Sequence, residues 1–400
     1  MSTPAAKGPL LRSTDPESQR VTTIELFFDL VYVFAITQLS HRLLEHLTPL
    51  GAIETAILLL AVWQAWVNTT WVATWFSPDK DLVRAFLIAV MLGSLIVSAT
   101  IPQAFEGRGL AFALGYAALA VLRNAFVIAN TGQDPGLRRN FQRIFWWAGS
   151  ASVLWVSGAV AEDNTRLALW LAAVAVEYAG PALGFVVPRL GRSTTEDWVT
   201  IAGGHLAERC QLFIIVALGE SILVTGGTVA SLPFDAKAAA ALVATFLGSV
   251  GLWWIYFDRS AEEAGKEIAE SDDPGRLGRS AYTYFHVPMV AGIIVTAVGD
   301  ELVITHPSGH ADLATVATIL GGPALFLFGH ALFKVVSFER VSVSRLVAII
   351  LLGGLALVSG ALSPLALTAG STLVIAIVAV WDRYAHRETP EGISVSAMAE

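Results

Sequence analysis

The chain has 400 residues, of which 55% are hydrophobic and 14% charged, and its mean hydropathy is +0.63. Soluble proteins carry about 25% charged residues, so the composition is that of an integral membrane protein. A net charge of −8 excludes a nucleic-acid partner, because no basic face is available to neutralise phosphates, and the single cysteine, Cys210, excludes an internal disulfide or a thiolate zinc cluster.

Residues 1–20 are polar, contain proline and lack an apolar core, which predicts a short tail rather than a signal peptide. A membrane-spanning helix needs about 20 mostly apolar residues. On that criterion the sequence predicts twelve spans, near 24–46, 52–75, 82–102, 109–130, 141–161, 166–187, 204–228, 236–257, 280–302, 313–336, 342–361 and 364–384. The longest polar connection, 259–279, reads as a cytoplasmic loop or a short amphipathic helix. Of the Lys and Arg residues, only Arg42, Arg108, Arg166 and Lys237 flank the spans on one side, and Arg123 lies within a span. The remainder fall on the other side, which by the positive-inside bias places both termini in the cytoplasm.

The two halves match each other in order. Glu25 and Trp71 map onto Glu208 and Trp254 at an offset of 183. MLGSLIVSA (91–99) maps onto MVAGIIVTA (289–297) at 198, and Arg123 onto His330 at 207. Arg143 and VSGA (156–159) map onto Arg345 and VSGA (358–361) at 202. Because the offsets change only between helices, duplication is the expected origin. The expected fold is thus an all-α membrane protein of two parallel six-helix repeats, 21–190 and 191–385, with tails at 1–20 and 386–400.

The segments ELFFDLVYVFAITQL (25–39) and ERCQLFIIVALGES (208–221) resemble the bacterial low temperature requirement protein A family. The resemblance extends over nearly the whole chain, although the Cys210–Gln211 pair departs from the more apolar or small pair expected there. It implies a multi-pass bacterial membrane protein associated by name with growth in the cold. It carries over no substrate, reaction or catalytic residue.

An ionisable side chain at the bilayer centre costs about 3 kcal/mol on insertion scales, so each one needs a reason. Thr22 and Glu25 have capping-box spacing, which gives Glu25 a structural role at the start of a helix. Asp29 lies one turn deeper on the same face, among Phe27, Phe28, Leu30 and Val31. It serves either in a buried pair, for instance with Arg123, or as a site for a proton or cation. Around the second motif lie His205, Glu208, Arg209 and Glu220. Glu208 and Arg209 are expected to pair locally, whereas Glu220, flanked by Gly219 and Ser221, suits a proton carrier or a hydrogen-bonded structural acid.

Weaker candidates for a polar lining are Gln38, His41, Asn68, Glu177, His286 and His330, which either form one path or satisfy each other locally. Trp63 and Trp66 are candidates for an aromatic cavity wall or for packing. Asp300 and Glu301 read as a solvated rim. Nucleotide-binding, metalloprotease and hydrolase motifs do not occur, so no catalytic residue, metal or cofactor is assigned.

The residues therefore point to a proton- or cation-linked transporter or channel of the cytoplasmic membrane, with Asp29, Glu220, Glu25 and Glu208 handling the ion and Arg209, Arg123 and His205 as charge partners. Its partners are the bilayer and a small solute or ion that the sequence does not identify; the oligomeric state is likewise open. The alternative is a membrane-embedded enzyme in which a buried Asp or Glu acts as general acid on a lipid or isoprenoid; its cavity would open laterally to lipid. A third reading, a scaffold or sensor, needs only structural pairing of these charges.

Overall fold

The computed structural model describes residues 10–12, 20–131, 134–194, 198, 201–385 and 393–394. Most of the tails expected at 1–20 and 386–400 therefore lie outside the described residues. The chain is helical almost throughout. The first half comprises α1 (Thr23–Glu45), α2 (Pro49–Trp75), α3 (Asp81–Thr100), α4 (Gly109–Asn130), α5 (Pro135–Val160) and α6 (Asp163–Ala182). After it come α7 (Gly203–Ala230), α8 (Ala236–Phe257), α9 (Ser260–Glu270) and α10 (Pro274–Leu277), which runs through a π-helical stretch, Gly278–Tyr284, into α11 (His286–Thr305). The chain closes with α12 (Leu313–Phe338), α13 (Val343–Leu357) and α14 (Pro364–Ala385). Two-residue strands β1 (Arg340–Val341) and β2 (Ile393–Ser394) pair antiparallel.

Each of the twelve expected spans falls on a helix, but nine helices among the described residues are long and apolar enough to cross a membrane. Those falling short are α5, α6 and α13. Arg138, Arg139 and Arg143 occupy the first turns of α5, and α6 begins with Asp163 and Arg166 before its apolar run. α13 has 15 residues, which at 1.5 Å per residue covers about 22 Å of a hydrocarbon layer about 30 Å thick. The polar connection forms the amphipathic helix α9, which buries Ala261, Ala264 and Ile268.

The chain divides into two compact units. One runs to Gln38 and adds Ile53–Arg209 and Ala269–Arg276; the other holds Leu39–Ala52, Cys210–Ile268 and the chain from Leu277 onward. In the first unit α3 packs on α4, α4 on α5 and α5 on α6. Its aromatic centre joins Phe112, Trp155 and Trp170, with the Trp170 indole donating to the Trp155 carbonyl at 2.9 Å. Trp71 and Trp75 are buried as well and pack against Trp198.

In the second unit α11 lies on α12, α8 on α14, and α13 on both α12 and α14. The α11–α12 approach depends on glycine. A Cβ at Gly292 would stand 2.5 Å from the Phe326 amide nitrogen and 2.7 Å from the Gly322 oxygen. Backbones come this close only where side chains are absent, which is a common way for membrane helices to gain packing energy without a hydrophobic driving force.

Candidate functional site: a buried charge cluster at the start of α1

α1 begins at Thr23, so Thr22 is its N-cap and Glu25 its third residue. Glu25 Oε2 accepts from the Thr22 amide at 2.8 Å, one half of a capping box. The Thr22 hydroxyl also donates to Oε2, at 2.8 Å, instead of capping an amide itself. The other oxygen faces inward: Glu25 Oε1 lies 3.0 Å from Arg12 Nη2, 2.8 Å from His205 Nε2 and 3.5 Å from Arg209 Nη1. One carboxylate thus both caps the helix and gathers three basic groups.

One turn further, Asp29 Oδ1 accepts from Arg209 Nη2 at 2.6 Å and from the Trp66 indole at 2.7 Å. The Arg209 guanidinium also lies near the rings of Phe28, at 5.5 Å, and Trp66, at 6.0 Å, cation–π contacts that favour Arg over Lys. All of these side chains are buried: Glu25 and His205 are at most 1% exposed, Asp29 and Arg209 1% each. Two carboxylates, Glu25 and Asp29, thus face two guanidinium groups, Arg12 and Arg209, with His205 beside Glu25.

Hydrogen bonding is incomplete. Asp29 Oδ2 and Arg209 Nε have no partner among the described residues. His205 Nε2 faces the Glu25 carboxylate, and its Nδ1 is likewise without a partner there. Asp29 Oδ2, a buried acceptor on α1, is therefore available to a proton, a cation or a donor from outside the protein.

Arg12 is the member that sequence reasoning missed. It sits in a polar stretch with no periodicity to mark it as interior. A short bridge, Leu11 to Phe76, lays this stretch along the end of α2, where the Arg12 amide donates to the Trp75 carbonyl at 2.7 Å and its Nε to Ala73 at 3.1 Å. The Trp66–Asp29 hydrogen bond was also missed, although both residues had been singled out; only tertiary contact joins them. Trp63 packs on Trp66 with ring centroids 4.9 Å apart.

The remaining candidates occupy separate local networks. Glu208 is half-buried and accepts from the Val21 amide at 3.2 Å. Arg123 is buried and forms no ion pair among the described residues; the partner of Asp29 is Arg209. Glu177 accepts from the Tyr116 hydroxyl at 2.9 Å. Gln38 and Asn68 are half-buried, and His41 is exposed. In the second unit the Tyr256 hydroxyl donates to His286 Nε2 at 2.8 Å, and His286 Nδ1 donates to the Ala281 carbonyl at 3.0 Å, across the π-helical stretch. His330 Nδ1 accepts from Arg345 Nε at 3.2 Å, and Arg345 pairs with Asp382.

Glu220 is buried, 1% exposed, and its neighbour Ser221 donates to Asp300 Oδ2 at 3.0 Å while contacting the Ser249 hydroxyl at 3.0 Å. This corrects the reading of Asp300 as part of a solvated rim. It is 5% exposed and makes no ion pair among the described residues. Its position near the end of an apolar helix resembled an interface, but the facing serines of α7 and α8 enclose it.

A lateral groove of about 970 Å³ runs along the α8–α14 seam. Its wall is apolar apart from Thr372 and Arg383, and no carboxylate lines it.

A family described as bacterial low temperature requirement A protein (LtrA) matches residues 20–380. An uncharacterized protein of Rhizobium meliloti (strain 1021) is 35% identical over 373 residues, which cover 93% of this chain and 91% of that protein. No solved structure matches. The chain belongs to the bacterial low temperature requirement A family, and with its set of long apolar helices it is a multi-pass membrane protein.

Proposed function

We propose that this protein is a proton- or cation-linked transporter or channel of the cytoplasmic membrane, and that the Glu25–Asp29–His205–Arg209 cluster is its ion-responsive centre. The observation that carries the reading is the state of Asp29. One of its oxygens takes both Arg209 and Trp66, while the other, equally buried, has no hydrogen bond among the described residues. Buried ion pairs are often no more stable than well-packed apolar residues of similar volume, and ionisable groups within membrane helices mark ion pathways. A cluster serving stability alone would be expected to satisfy every lone pair. This one leaves Asp29 Oδ2 without a partner among the described residues.

Asp300, buried without a cationic partner among the described residues, supports a second ion-handling position, and Glu220, also buried, precedes the serine that binds Asp300. In the proposed architecture two parallel six-helix repeats, 21–190 and 191–385, place α1 and α7 as equivalent first helices, with both termini cytoplasmic. The enzyme alternative gains nothing from the lateral groove, because no acid lines it.

The test is flux by the wild-type protein in proteoliposomes under imposed proton and sodium gradients, each compared with protein-free vesicles. Protein-dependent dissipation of either gradient supports the proposal. Tight vesicles under both gradients, with and without a panel of small solutes, would overturn it.

A further inference from the structure

We propose that the α8–α14 groove is a binding site for an anionic phospholipid, with an acyl chain along the seam and the phosphate at Arg383. The groove is built by small residues. α14 is tied to α8 by the Thr372 hydroxyl, which donates to the Ala244 carbonyl at 3.0 Å. Gly251 lets Ile375 come close, since a Cβ there would stand 2.5 Å from Ile375 Cγ2. Above this floor the side chains of Ala240, Ala244 and Ala376 leave a trough, and Val243, Leu247 and Val380 form apolar walls. Water has no polar partners there, and an alkyl chain matches the surface.

The chemistry changes at one end. Arg383, in the last turn of α14, lies over the ring of Trp254 in the last turn of α8, 5.9 Å from its centroid. This contact engages the face of the guanidinium, and the exposed side chain has no hydrogen-bond acceptor among the described residues. The adjacent acid does not neutralise it, because Asp382 is taken by Arg345. An exposed Arg beside a Trp at the end of a spanning helix is placed at headgroup depth, and a guanidinium binds phosphate by a charged, two-pronged hydrogen bond. The apolar trough and a cation without a counterion among the described residues together select a lipid with a net negative headgroup over a zwitterionic one. A second copy of the chain would meet the trough with its own apolar helix but would leave Arg383 without a counterion.

Purified protein in mild detergent would be titrated with phosphatidylglycerol and with phosphatidylcholine, bound lipid being counted by native mass spectrometry alongside the thermal midpoint. Wild type is expected to retain phosphatidylglycerol several-fold in preference. Arg383→Gln should bring that ratio to unity, and Ala376→Trp, which fills the trough from an exposed position, should abolish retention of both lipids. Both variants must remain monodisperse, and Leu346→Trp, on an exposed face outside the groove, serves as the control for folding. Equal retention of the two lipids by wild type, or a preference that survives Arg383→Gln, would overturn the proposal. So would a change of oligomeric state in Ala376→Trp without loss of lipid, which would make the groove a seam between copies.

Discussion

Arg209 Nη2 lies 2.6 Å from Asp29 Oδ1, while Nη1 of the same guanidinium lies 3.5 Å from Glu25 Oε1. A single side chain on α7 therefore answers both carboxylates of α1, one helical turn apart. Removing one partner of a buried pair strands a charge, which costs about 3–5 kcal/mol. Arg209→Gln and Asp29→Asn should each lower the thermal midpoint strongly, whereas the double substitution Asp29→Asn/Arg209→Gln should restore most of the loss. A double-mutant cycle on detergent-solubilised protein measures this, and purely additive effects would contradict the coupling.

The indole of Trp66 supplies the second donor to Asp29. Trp66→Phe keeps the ring and removes the N–H, so it should cost about 1.5–3 kcal/mol, the range for a hydrogen bond to a charged group. Trp66→Tyr, which also lacks the indole N–H, should show a similar loss. Chemical unfolding of the two variants side by side decides between a specific hydrogen bond and general aromatic packing.

Sequence patterning revealed the helices and the carboxylates but only part of the cluster. Hydropathy and charge spacing locate α1, α2 and α7, and they mark Glu25, Asp29, His205 and Arg209 as residues that need a reason to be in a membrane helix. They cannot identify who answers whom. Arg123 and Arg209 were equally available to Asp29 in sequence, and packing of the helix starts selects Arg209. Arg12 is invisible to periodicity because a short backbone bridge, not a helix, carries it to the site. Asp300 failed for the opposite reason: its position near a helix end is legible, but the serines that cover it come from two other helices.

Ser221 is the one hydrogen-bond donor to Asp300 among the described residues. Ser221→Ala should leave that buried carboxyl group unsatisfied and cost about 1–3 kcal/mol. Ser249→Ala, one hydroxyl removed from the acid, should cost less. Thermal midpoints of the two variants test the order, and equal losses would show that the hydroxyls act as a unit.

Close helix approach makes a different kind of prediction. Gly292→Ala would put a Cβ 2.5 Å from backbone at Phe326, so α11 and α12 must separate; the expected cost is about 1–3 kcal/mol or more, as for overpacking in general. Gly353→Ala in α13 meets no atom within 4 Å and should stabilise by up to about 1 kcal/mol through helix propensity. The opposite signs are read directly from thermal melts.

Asp312 caps α12, accepting from the Thr315 amide at 2.8 Å. Hydrogen bonds from the Thr315 hydroxyl and amide hold its carboxyl below the ordinary carboxylate value. Its contribution is therefore complete above the unfolded value of about 3.9 and is lost as pH falls through the lower folded value. Asp312→Ala should cost about 1 kcal/mol at pH 7, as cap removal does. The difference from wild type should shrink in acid, and a difference that stays constant with pH would show that the carboxylate is not the cap.

The most direct test of ion handling at the α1–α7 cluster is gradient-driven flux through Asp29→Asn/Arg209→Gln, reconstituted beside wild type at matched protein density. This variant keeps the charge balance and leaves no buried charge stranded, so it is expected to fold. The account predicts that wild type dissipates a proton or sodium gradient and that the folded double variant does not. Undiminished flux through the double variant would contradict it and leave the cluster a structural device.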